Sequence, residues 1–292
     1  MMTYLFVAAA VITSGLCGPL YKIVADGAPG KRATVLAPLC WCLPLAAVFG
    51  IIALLNGEWH DLPAVLPPAL LAGAAAAMCA VALLFSMQRS SYAFAIILVN
   101  CSFLFPILLS CLLLHEQTGL WQLAGIVIAV AAVVVLYAAP AEGRTPIVTV
   151  LITLAASLGN GLIDFAIKWQ QYRTPGAGEN LFFCLDYLFA SLFCGIAALL
   201  IGDKTPSAVV RPQPRFLISA LGIGVCNGLC FYCISRSAAA MNAAAQFVVI
   251  TALSIILSLV IGCYRFKTRL GVREWLGLLA CTAAIVFQFL NL

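Results

Sequence analysis

Ten stretches of this chain are long and apolar enough to cross a bilayer, and they fall into two sets of five. They cover residues 4–24, 34–55, 65–87, 92–114 and 119–139, then 147–168, 181–201, 215–234, 238–262 and 273–291. A helix needs about 20 apolar residues to cross the ~30 Å hydrocarbon core. Within that core the backbone must satisfy its own polar groups, so the expected fold is an all-α membrane protein. Five is odd, so the second set enters the bilayer in the opposite sense to the first. Two like halves of opposite orientation form an inverted repeat, an architecture that in membranes belongs mostly to carriers with alternating access. The expected division is a first five-helix repeat over residues 1–140 and a second, inverted one over residues 141–292.

Composition removes the soluble alternatives. Only 9% of the residues are charged, against about 25% in soluble domains. Ten spans use most of the chain, which leaves no separate soluble domain. The net charge of +5 is scattered through connections and makes no basic stripe, so no nucleic-acid partner is expected. Met1-Met2-Thr3 carries no positive charge, and the first apolar run reads as a retained helix. Nearly all of the 13 cysteines lie inside apolar segments, where they serve as small packing residues in reduced form.

The halves also match residue by residue. Lys22 lies 146 positions before Lys168, and Asn100 lies 146 before Gln246. Phe85-Ser-Met-Gln-Arg-Ser-Ser91 echoes Tyr232-Cys-Ile-Ser-Arg-Ser-Ala238 at a shift of 147. Proline breaks the likeness. Pro19, Pro38, Pro44, Pro67, Pro68 and Pro106 sit in or at helices of the first half, whereas Pro175, Pro206, Pro212 and Pro214 sit in connections of the second. An intrahelical proline removes a backbone bond and kinks the helix. Bending is therefore expected in the first half, with Pro19 and Pro106 as structural pivots.

Ionisable groups inside a membrane are costly, and each is a candidate for function. Asn160, Asp164 and Lys168 follow one another at four-residue intervals and rise along one helix face. Asp164 and Lys168 can form an ion pair, or the face can bind substrate or a proton. Asp186 has Lys22, Lys168 and Arg173 as possible partners; away from them it becomes a second proton-coupling candidate beside Asp164. The repeat-related Lys22 and Lys168 can attract a substrate carboxylate or phosphate, or reach out to the headgroups. Glu116 marks the turn after the fourth span and suits a structural role beside the positive end of the next helix. Cys226, Cys230 and Cys233 merely share a helix face, and His60 and His115 have no zinc spacing. No metal, cofactor, nucleophile with a local base or phosphate-binding loop is expected, and the chain is not read as an enzyme.

Leu113-Leu-His-Glu116, followed by Gln-Thr-Gly-Leu-Trp-Gln-Leu-Ala-Gly125, resembles the end of the fourth helix in the drug/metabolite transporter superfamily, and within it the EamA-like ten-helix carriers. Gly18-Pro-Leu-Tyr-Lys22 is similar to that family's first helix with its terminal lysine. The second half departs from the pattern, since Gly262-Cys-Tyr-Arg-Phe-Lys267 holds no carboxylate. The resemblance implies a central cavity walled by spans 3, 4, 8 and 9, which adds Asn100, Asn227, Tyr232 and Gln246 to the substrate-binding candidates. It implies a multi-pass protein of the bacterial inner membrane that moves a small polar metabolite, with a zwitterion such as an amino acid, or an amine, suggested by the two signs of charge. Its partners would be that substrate and the lipid bilayer; oligomeric state is open. A non-transporting receptor or assembly subunit, or a lipid-modifying membrane enzyme, is the alternative. Orientation stays divided at this stage. The resemblance puts both termini in the cytoplasm. Connections 1–2, 3–4, 5–6, 7–8 and 9–10, however, hold twelve Lys and Arg against three on the other side, which by the positive-inside rule puts the termini outside.

Overall fold

The computed structural model describes residues 2–28, 30–115, 119, 124, 127–128, 131, 146–201, 213–238, 241, 243–266, 271–272, 275–276, 279–280 and 282–283. Its elements are all helical: α1 (Met2–Gly27), α2 (Gly30–Leu36), α3 (Leu39–Leu55), α4 (Leu62–Arg89), α5 (Tyr92–Asn100), α6 (Leu104–Leu113), α7 (Ile147–Arg173), α8 (Glu179–Leu200), α9 (Pro214–Ala238) and α10 (Ala243–Phe266). With α2 joined to α3 and α5 to α6, they supply eight helices long and apolar enough to cross a membrane. These realise the first four expected spans of each set. Most of the fifth and tenth spans, Glu116 and the junction between the sets lie outside the described residues.

Proline explains where the first half breaks. The Pro106 ring cannot coexist with a helical carbonyl at Ser102, four residues earlier. The chain answers with a 3₁₀ turn over Cys101–Phe103 between α5 and α6. Likewise Pro38 separates α2 from α3. Pro19 lies within α1, Pro44 within α3, and Pro67 and Pro68 within α4 without ending them. In contrast, α7 and α8 contain no proline, and Pro214 merely opens α9, where a missing N–H costs nothing.

The packing repeats when the halves are exchanged. α1 lies along α9, while α7, its counterpart, lies along α4, the counterpart of α9; α3 packs on its own counterpart, α8. Directions follow from individual contacts. Lys22 Nζ donates to the Met87 carbonyl (2.9 Å) and Gln88 Nε2 to that of Ala25 (2.9 Å), so α1 and α4 finish at the same end. Ser86 meets Thr153 (2.6 Å), whereas Gly159 lies against Ala75 and Cys79, so α7 runs against α4 and hence against α1. First helices of opposite sense are the signature of inversion.

Glycines permit close approaches between helices, two of them beside the broken fourth span. A side chain at Gly18 of α1 would meet the Tyr92 hydroxyl at 2.8 Å and Ile96 at 2.9 Å, and would run into Ser258 of α10. At Gly161 of α7 it would lie 2.6 Å from the Ser102 carbonyl, in the broken part of the fourth span. Small residues of this kind let membrane helices approach and gain dispersion contacts.

Polar stitches close each end of the bundle. At the end where α1 and α4 finish, Lys22 also pairs with Asp26 (2.8 Å), and Gln88 reaches Thr34 (3.0 Å). At the opposite end Lys168 Nζ donates to the carbonyls of Met241 (2.7 Å) and Ala238 (3.2 Å), while Gln171 donates to Ser235 (2.7 Å). Arg236 pairs there with Glu179 (2.9 Å), and Glu58 accepts from the Leu181 N–H (3.0 Å) and the Asn180 amide, covering the positive start of α8.

Candidate functional site

A cavity of about 110 Å³ lies on the axis where the two sets of helices meet. α1, α3, α4, α5, α7, α8, α9 and α10 all contribute to its wall. The broken fourth span delivers Asn100 to it at the end of α5, with Asn100 Nδ2 donating to the Ile96 carbonyl (2.8 Å). Discontinuous helices at mid-membrane are a common way to present polar groups to a ligand. Beside the break, α7 presents Asn160 and Asp164 from one face, as their four-residue spacing predicts. Asn160 Nδ2 donates to the Ser102 hydroxyl (2.8 Å), which fixes α7 to the break. On α9, Asn227 Nδ2 donates to the Tyr21 hydroxyl (2.8 Å) and its Oδ1 accepts from the Cys17 thiol (3.0 Å), tying α9 to α1 at the wall.

Asp164 differs from these amides. It is 4% exposed and lines the cavity, and its carboxylate accepts no hydrogen bond among the described residues. The same wall carries the rings of Tyr21, Trp41, Tyr187, Phe231 and Phe247. Tyr21 and Trp41 meet edge to face, with ring centroids 5.7 Å apart. The Tyr187 hydroxyl is also buried without a partner among the described residues. Of the Asp, Glu, Lys, Arg and His side chains described, Asp164 alone faces this space.

Other candidates lie elsewhere. Lys22 and Lys168 are outside the cavity wall and hold the carbonyls at the ends of α4 and α9. The anticipated Asp164–Lys168 ion pair gives way to these backbone contacts. Gln246, fully buried, donates to Ser237 (2.7 Å) and the Ile234 carbonyl, joining α10 to α9 rather than facing the cavity. Tyr232 lies outside the wall too; its hydroxyl accepts from Arg236 Nε (3.2 Å), and its ring lies under that guanidinium. Asp186 is 1% exposed, and neither oxygen has a hydrogen-bond partner among the described residues, which corrects the expectation of pairing with Lys22, Lys168 or Arg173. Arg173 instead covers the Trp169 ring. Pro19 and Pro106 are buried within their helices. No disulfide joins any two of the twelve described cysteines.

The model of the EamA-like transporter family matches residues 1–138 and again residues 147–290. The chain belongs to the EamA-like transporter family. It is accordingly an integral, multi-pass membrane protein of a transporter family, and the two matched segments are its two repeats. No curated protein matches this EamA-like chain. A solved structure titled only as the crystal structure of a protein is similar over 97% of this chain and 98% of that one, with 15% identity and a TM-score of 0.65. That likeness shows a shared fold.

Proposed function

We propose that the chain is a secondary carrier with alternating access for a small organic molecule bearing a protonated nitrogen, an amine or an amino-acid zwitterion. The observation that carries this reading is Asp164, a buried carboxylate facing a cavity lined with aromatic rings and lacking any described cation to neutralise it. A ligand ammonium supplies the missing charge, and the faces of Tyr21, Trp41 and Phe231 add cation–π attraction. Asn100, Asn160 and Asn227 offer remaining amide hydrogens or lone pairs to the ligand's other polar groups. At ~30 Å³ per water, a cavity of about 110 Å³ suits a metabolite of few heavy atoms and is too small for a lipid.

The repeats, residues 1–140 and 141–292, would rock about the cavity and expose it to each side in turn. Asp164 can hold a proton in place of the ammonium, which couples substrate to proton movement by competition. Asp186, set behind the wall next to Tyr187, is the second proton-coupling candidate. The bacterial inner membrane is the proposed location.

Reconstituted vesicles offered a panel of amines, amino acids and sugars test this reading. Uptake of at least one nitrogenous cation is expected. Asp164→Asn should reduce it about 10- to 100-fold, the worth of a charged hydrogen bond of ~1.5–3 kcal/mol. An Asp164→Asn variant that transports like the parent defeats the proposal.

A further inference from the structure

A second concavity lies on the outside of the bundle, away from the carrier site. It is a groove of about 760 Å³ between α2–α3 and α8, walled almost entirely by apolar side chains, with Arg32 at one end. Its size falls in the ~300–1,000 Å³ range of small-molecule pockets. Leu43 and Leu188 form the deep end, while Leu36 and Leu199 stand nearer Arg32. Leu43 and Leu188 are nearly half exposed and Leu199 more so, so the groove opens toward the hydrocarbon of the bilayer.

Its length is informative. From Leu188 to Leu199 the groove follows twelve residues of α8, a rise of about 16 Å at ~1.5 Å per step. That is half of the ~30 Å hydrocarbon core, the depth of one leaflet. The interruption at Pro38 falls between Leu36 and Leu39, both of which line the groove. Gly195 forms a notch in its floor: a side chain added there would meet nothing within 4 Å. Arg32 and the adjacent Lys31 belong to the end of the bundle where α1 and α4 finish, which also carries Lys22, Arg89, Arg215 and Arg265. A one-leaflet apolar trough ending in a guanidinium matches an anionic phospholipid, with the acyl chain in the trough and the phosphate at the Arg.

We propose that the α2–α3/α8 groove is a binding site for an anionic phospholipid, with Arg32 holding the headgroup and the Gly195 notch receiving an acyl chain. The inference does not depend on what occupies the central cavity.

Purified full-length protein in neutral detergent, titrated with phosphatidylglycerol or phosphatidylcholine, tests it by lipid-dependent thermal stability and by native mass spectrometry. Phosphatidylglycerol should raise the midpoint and remain bound in preference to phosphatidylcholine. Arg32→Gln should cost about fivefold in phosphatidylglycerol affinity, the worth of one basic residue at an anionic surface, and Arg32→Lys should restore most of it. Gly195→Trp should abolish binding of both lipids, while Gly195→Ala, directed into open space, should leave lipid-free stability unchanged and so report that the fold is intact. Equal binding of the two lipids, or an unchanged preference in Arg32→Gln, overturns the proposal. So does a Gly195→Trp variant whose main effect is to halve the particle mass, since that outcome makes the groove a contact between two copies.

Discussion

Gly18 is where α1, α5 and α10 converge, and its lack of a side chain is what lets them. Gly18→Val should destabilise the protein by about 1–3 kcal/mol, as overpacking does, because its added carbons would enter Ser258 and the space next to Tyr92 and Ile96. Thermal unfolding in detergent measures this directly. At the same scale, sequence spacing located the face of α7 that carries Asn160 and Asp164, because helical periodicity fixes which residues share a side. It could not locate Lys168. A long side chain one turn further along can reach a neighbouring helix terminus, and the carbonyls of Ala238 and Met241 are acceptors available only in three dimensions. Tyr21, Trp41 and Phe231 went unnoticed for a related reason: aromatic rings are common in membrane helices, and nothing local distinguishes one that faces a cavity from one that faces lipid.

Helices were the most legible elements, since length and apolarity nearly determine a span. Proline placement was legible too, and the structure converts it into breaks at Pro38 and Pro106. The mechanical contrast between halves yields a prediction. In two captured conformations of the carrier, bending should concentrate in α1 and at the α5–α6 junction, where backbone hydrogen bonds are already missing. Spin-label distances across each helix would report it, and bending confined to α7–α10 would refute it. The stitches at helix ends were invisible in the sequence. Glu58 covering the start of α8 joins residues 122 and more positions apart, a relation that no local pattern encodes.

For the whole molecule, inversion was foreseen from an odd number of spans and agrees with the opposed directions of α1 and α7. Orientation in the membrane is a separate matter, since a bundle and its inverted placement share every internal contact. The twelve-to-three distribution of Lys and Arg predicts that the Lys31 end faces the cytoplasm. A cysteine replacing Lys31 should be shielded from an impermeant thiol reagent in intact cells, and one replacing Gly176 should react; the reverse labelling would place both termini inside.

At the offset of 146 that relates the two lysines, Gly18 is the twin of Asp164. One half thus keeps its acid while the other has given the same position over to a seam. Identical subunits joined about a two-fold axis would have to confront two acids across that axis, whereas a fused pair is free to retain one. Under the proposed function, the stoichiometric consequence is a single seat, for which a proton and a ligand ammonium would compete.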